Sequence, residues 1–176
     1  FGLLNVAYRS INGQPAEGLA APVSAQRSGG PGSEVSFDEL GRQGGDFVTG
    51  GPTADEISAI TGEPALTPVR VYVGVGAGGT LADRVATAVR ELVRTGGFGR
   101  EVLVVAATTG SGWVEPQGVD SVEYLHSGDT ATVSLQYAYT PSFVSAVTAP
   151  ELTVEAASAL FTGVRGHWLT LPEGEI

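Results

Sequence analysis

Three glycine-rich stretches hold the residue types in this chain that most readily do chemistry. Gly74-Val-Gly-Ala-Gly-Gly79 satisfies G-x-G-x-x-G between a strand-like and a helix-like segment. In a dinucleotide site such glycines allow a tight turn, close approach of a pyrophosphate, and its anchoring on a helix N-terminus. The other reading is a small-residue strand-to-helix turn. An NAD site also wants an acid near the carboxyl end of the next strand, and an NADP site wants an arginine. Val102 to Ala107 runs instead into Thr108-Thr-Gly-Ser-Gly-Trp113, which has neither. The plain turn is therefore favoured. Thr108 to Trp113 is the second stretch. Amides around Thr109, Gly110, Ser111 and Gly112 could form a nest for an anion or an oxyanion, with Trp113 either walling a pocket or anchoring the core. The third, Arg27-Ser-Gly-Gly-Pro-Gly-Ser33, has donors on a flexible backbone. A surface turn is favoured there over an anion site.

Nucleophile chemistry needs a more specific arrangement. A serine made reactive on a strand-to-helix elbow reads G-x-S-x-G, and no serine here satisfies it. Ser111 has glycine on both sides but Thr109 two residues before it. His126 lies between Leu125 and Ser127 near Glu123 and Asp129, so the residue types of a Ser-His-Asp triad occur together there, a coincidence common in sequences. His167, beside Trp168, reads as a helix C-terminal charge partner or packing residue. Asp120, Glu123 and Asp129 read as a solvated acidic rim rather than paired glycosidase carboxylates. Two histidines and no cysteine leave too few ligands for a histidine-rich metal site and exclude disulfides, thiolate metal sites and a cysteine nucleophile.

Composition narrows the field further. The 176 residues are 42% hydrophobic and 16% charged, enough for one ordinary domain with a buried core. The net charge of −10 disfavours a nucleic-acid partner. All nine basic residues are arginine. No apolar run approaches the length of a membrane span. Methionine is absent, which leads us to expect polypeptide upstream of Phe1.

Elements that would position these residues follow from periodicity and punctuation. Residues 1–68 hold twelve of the 26 glycines and six of the ten prolines and read as a loop-rich arm that wraps a neighbouring surface. Phe1 to Ile11 reads as a strand or the tail of a helix. Thr53, with Glu56 three residues on, starts a short helix over Ala54 to Thr61. Residues 69–176 read as an incomplete α/β domain. Val69 to Val75 is a strand, and Leu81 to Arg94 an amphipathic helix with Glu91 off its buried face. The almost continuous apolar run Glu101 to Ala107 is a strand covered on both faces. Val119 to His126 is a short helix. Thr130 to Tyr139 is a third strand alternating between Ala131, Val133, Leu135 and Tyr137 on one face and Thr132, Ser134 and Gln136 on the other. Pro150 to Leu169 is a long helix. This alternation builds a mostly parallel sheet with flanking helices.

Several blocks, taken in order, resemble a known family. Arg27-Ser-Gly-Gly-Pro-Gly-Ser33, Leu40-Gly-Arg-Gln-Gly44, Phe47-Val48, Gly51-Pro-Thr53 and Arg70-Val-Tyr-Val-Gly74 come first. Glu91-Leu92, Thr109-Gly-Ser-Gly-Trp113, Glu123-Tyr124, Gly128-Asp-Thr130, Gln136-Tyr137 and Pro141-Ser142 continue the series. Together they resemble an actinobacterial family of membrane-anchored α/β-hydrolases, whose soluble catalytic domain follows N-terminal transmembrane helices. The resemblance implies a partial α/β-hydrolase-like fold and a serine esterase or lipase-like enzyme that hydrolyses carboxylic esters without a cofactor. It implies that Thr109, Gly110, Ser111 and Gly112 offer backbone donors to an oxyanion, with Trp113 at the substrate pocket. The nucleophile elbow, acid and histidine are then expected beyond Ile176, where the sheet continues, so the chain alone is expected to be inactive. The expected partners are the remainder of the same hydrolase, the upstream membrane helices and an ester or lipid-like substrate. Membrane attachment is expected to depend on those helices, because an acidic surface is repelled by anionic lipid. The alternative is a non-catalytic module, either Rossmann-like and nucleotide-binding or devoted to protein contacts.

Overall fold

A computed structural model describes residues 2–172; Phe1, at the start of the strand-or-helix segment, lies outside them. Three parallel strands form the sheet: β1 (Val69–Val73), β2 (Val102–Val105) and β3 (Thr130–Leu135). Their order in space is β1-β3-β2, with Val71 and Val105 both level with Val133. The chain therefore steps from β1 over to β2 and then back into the middle. Right-handed crossovers in opposite directions put their helices on opposite faces. Accordingly α4 (Leu81–Thr95), which links β1 to β2, packs with α7 (Glu151–Trp168) on one face. On the other face lie α5 (Pro116–Leu125), which links β2 to β3, α2 (Gly41–Thr49) and α3 (Ala54–Thr61). The remaining α-helices among the described residues are α1 (Gly2–Asn12) and α6 (Ser142–Thr148).

Local chemistry explains most of the boundaries. Thr53 accepts from the Glu56 amide while Glu56 reaches back to the Thr53 amide, and Thr80 and Asp83 do the same for α4. Gly62 and Gly96 close α3 and α4 in the left-handed conformation, with φ of 77° and 71°. Pro116 opens α5 where its missing N–H costs nothing.

The burial of the strands reverses the pattern expected for two of them. The β3 strand is buried along its whole length, including Thr132, Ser134 and, just beyond it, Gln136. Its alternation arises from two covered faces of different polarity, and Ser134 satisfies its hydroxyl on the Ala106 carbonyl. The more apolar β2 is only half-buried, because among the described residues no segment pairs along its outer edge as Gln26 to Ser28 does along the other edge strand, β1. The third strand also stops at Leu135, and Gln136 to Thr140 is loop. No described helix is long and apolar enough to cross a membrane.

The arm is held to the sheet by buried polar groups. Gln26 to Ser28 runs along β1, bridging Arg27 to Arg70. The Arg70 amide donates to Gln26, and the Ser28 amide to the Arg70 carbonyl. The Arg27 guanidinium donates to the carbonyls of Val48, Gly50 and Pro52. Arg70, fully buried in β1, forks onto Glu123 with two bonds of 2.8 Å and reaches Asp120 at 2.6 Å. Burial acts to lower the pKa of Arg70, yet the bonds to Glu123 and Asp120 hold it above its ordinary value. The same burial, eased by Arg70, pushes the Glu123 carboxyl up. A two-point fork of this length is the geometry of an ionised pair, and that is the state we assign. Asp120 and Glu123 are thus part of an internal ion cluster, not the solvated rim expected of them.

Candidate active-site loop

Adjacent parallel strands whose outgoing connections leave toward opposite faces open a crevice beyond their carboxyl ends, where open α/β sheets bind ligands. Here β2 leaves toward α5 and β3 toward α6 and α7. At these ends stand the segment after β2, which contains Thr109, Gly110, Ser111, Gly112 and Trp113, and the segment Gln136 to Thr140 after β3, joined by the Ala138 amide on the Gly110 carbonyl.

The carbonyls of the first segment are all engaged. Thr109 and Trp113 accept from the amides of Gly112 and Thr109, at 2.9 and 3.1 Å. Gly110 accepts from the Ala138 amide at 3.2 Å, Ser111 from Gln136 Nε2 at 2.9 Å, and Gly112 from the Tyr72 hydroxyl at 2.8 Å. Burial pushes the Tyr72 phenol up, so it remains a donor. The amides divide differently. Thr109 and Gly112 spend theirs within the loop, and Trp113 donates weakly to Thr109 Oγ1 at 3.3 Å. The N–H groups of Gly110 and Ser111 have no acceptor among the described residues. Two neighbouring amides of the loop thus stay unspent while its carbonyls are tied, and convergent backbone amides of this kind are the donors that anion sites use.

Glycine at two of these positions is a steric requirement. Gly112 adopts φ +97°, and a Cβ there would overlap the Tyr72 hydroxyl. A Cβ on Gly110 would overlap the Thr140 carbonyl and Ser145 Oγ, whose hydroxyl pairs with Thr140 Oγ1 at 2.7 Å. Trp113 is 41% exposed, so it is not a core anchor.

The other sequence candidates resolve differently. A Cβ on Gly74 would overlap the Glu39 carbonyl, and one on Gly76 would stand 2.7 Å from it. These glycines therefore make room for the arm's own backbone. The Arg27–Ser33 stretch does surround an anion, the buried carboxylate of Glu91. It accepts from Ser28, Ser33 and the Glu34 amide, each at 2.9 Å, and from Arg94. The stretch is a turn exposed at Pro31 and Gly32, but Arg27 and Ser28 are buried, and Glu91 lies inside the protein rather than off the buried face of α4. His126 caps α5 and stands 3.4 Å from Glu101, beside the start of β2. Ser111 follows the other end of that strand, so the two are not brought together. The His167 ring packs 4.7 Å from Phe98. Among the described residues, no three His, Asp or Glu side chains are placed to hold a metal ion.

Tyr72 and Gln136 were not legible as site residues. Tyr72 sits in a β-branched run, and alternation put Gln136 on a half-polar face. The signals were a polar side chain at the carboxyl end of a strand and membership of the blocks Arg70-Val-Tyr-Val-Gly74 and Gln136-Tyr137, neither of which assigns a role.

Residues 69–175 match the model of the Alpha/beta-hydrolase family, and residues 1–52 match that of the Alpha/beta-hydrolase family N-terminus. The chain belongs to the alpha/beta-hydrolase family. No curated protein and no solved structure matches it. In this α/β-hydrolase the three-stranded parallel sheet and flanking helices form part of the family's fold.

Proposed function

We propose that Thr109 to Gly112 is the oxyanion loop of a serine-dependent carboxylic ester hydrolase, with the N–H groups of Gly110 and Ser111 as the donors. One observation carries this reading: the loop stands at the switch point of an α/β-hydrolase sheet with every carbonyl tied and two adjacent amides unspent. Such donors act on charge that develops only in the transition state, where one donor is worth about 10²–10³ in kcat. In this reading the nucleophile is not among these 176 residues, since none of their serines lies in G-x-S-x-G. Trp113 borders the ester or lipid-like substrate, no cofactor takes part, and the protein works at a membrane surface.

Turnover of p-nitrophenyl esters tests this. The 176-residue chain should give none, and the natural polypeptide that also carries a G-x-S-x-G serine should turn them over. In that longer protein Ser111→Pro, which removes one donor, should lower kcat about 10²-fold with KM little changed. Unchanged kcat in a folded variant would refute the assignment. Fractionation of the native host tests the membrane location.

A further inference from the structure

Two buried side chains beneath the loop also touch the N-terminal arm. Gln136 is fully buried. Its Oε1 accepts the Val75 amide at 3.2 Å, while Nε2 donates to the carbonyls of Ser111 at 2.9 Å and Asn12 at 3.4 Å. Chemistry fixes its orientation: Val75 N–H needs an acceptor, and the two carbonyls need the amide's two donors. Gly41, at φ +73°, rests against this junction. A Cβ there would stand 2.8 Å from the Asn12 carbonyl and 2.9 Å from Gln136 Oε1. Tyr72, the second side chain, holds the Gly112 carbonyl. Its ring occupies the space that a Cβ on Gly44 would need. Asn12, Gly41 and Gly44 all lie within residues 1–52.

We propose that Tyr72 and Gln136 are positioning residues through which the N-terminal arm sets the conformation of the Thr109–Trp113 loop. Three groups from outside the loop hold its carbonyls, and two of the three are these side chains. A displacement of Gly41 or Gly44 moves Gln136 or Tyr72, and with them the Ser111 and Gly112 peptides. Those are the peptides next to the unspent amides. The catalytic consequence rests on the oxyanion reading, but the conformational coupling does not.

Residue-resolved hydrogen exchange on the 176-residue chain tests the coupling. The loop-bonded amides of Thr109 and Gly112 report on the loop, and Val133 on the centre of the sheet. In Tyr72→Phe and in Gly41→Ala, which touches Gln136 but not the loop, the two loop amides should exchange at least about 10-fold faster relative to Val133. The Gly110 and Ser111 amide shifts should move with them. Gln136→Glu sets an oxygen against two carbonyls at constant shape and should act in the same direction. If it fails to fold, the other two variants carry the test. Gly18→Ala is the control: φ is +80° with nothing within 4 Å of a Cβ, so it weakens the arm without touching Gln136. It should leave the loop-to-Val133 ratio at its wild-type value. Wild-type ratios in Tyr72→Phe and Gly41→Ala would overturn the proposal. In an ester-hydrolysing longer polypeptide, Tyr72→Phe should lower kcat with KM unchanged. If that polypeptide turns over no ester, the oxyanion reading fails while the exchange result still decides the coupling.

Discussion

After β1 the chain turns through Gly74-Val-Gly-Ala-Gly-Gly79, and after β2 through Thr109-Gly-Ser-Gly112. Both turns are glycine-rich, both follow a parallel strand, and both precede a helix. The first is crossed by the arm: the Glu39 carbonyl stands where a Cβ on Gly74 or Gly76 would be. The second is packed from beneath by Tyr72, Gln136 and Ala138 and keeps two amides unspent. Glycine thus serves close approach in both turns, once to the arm's backbone and once to side chains that turn the carbonyls inward. What separates a structural turn from a candidate site is which atoms fill the gap, and glycine spacing does not encode that.

The largest effect should come from Gly74→Ala, because the clashing atoms are backbone and cannot rotate away. A loss of about 3 kcal/mol, near the upper end for overpacking, is expected in urea unfolding. A near-neutral result would mean that the arm does not seat on this turn. Next comes Glu91→Gln, which loosens the arm's grip around Ser28 to Glu34 and should cost about 2 kcal/mol. Burial pushes the Glu91 carboxyl up, but Arg94, the Glu34 amide and the two serine hydroxyls outweigh it and hold the pKa below its ordinary value. A depressed carboxyl contributes its stability above the unfolded pKa of about 4.3 and loses it as pH falls through the folded value. Wild type should therefore weaken on acidification below about pH 4.3, and Glu91→Gln should flatten that slope. Equal slopes in the two proteins would remove Glu91 from the account. The smallest effect on stability belongs to Trp113→Ala, within about 0.5 kcal/mol, since the ring is largely exposed. A loss above about 2 kcal/mol would make Trp113 a packing residue and the second turn as structural as the first.

Much of the scaffold was legible. Thr53 with Glu56, the apolar stripe from Leu81 to Leu92, and the β-branched run at Val69 each carry a local signal strong enough to survive tertiary packing. The α2 helix was hidden because Gly41, Gly44 and Gly45 lower helix propensity. Those glycines are there because the Gln136 junction, the Tyr72 ring and Pro15 lie against them. The same physics misled at Glu123 and Glu91. A carboxylate in sequence reads as solvated: Arg94 stands one helical turn from Glu91, but only the fold brings Arg70 to Glu123 and the two serine hydroxyls to Glu91. The roles of β2 and β3 were exchanged because a parallel strand's neighbours come from distant sequence, so its own apolarity does not say whether it is central. The loop Thr109–Trp113 could be singled out, but its partners could not. Tyr72 and Gln136 reach it from 40 and 25 residues away.

The two flanks of the sheet are finished unequally. Along β1 the outward amides of Arg70 and Tyr72 and the Arg70 carbonyl are taken by Gln26 and Ser28. The outer side of β2 pairs with no strand among the described residues and borders a groove of about 440 Å³ lined by Leu103, Val105, Phe161 and Trp168. Any guest strand is therefore admitted on one flank alone. Two copies of this chain could meet there, but neither would offer a second open flank to a third. Edge-to-edge self-association would end at pairs and could not propagate into fibres.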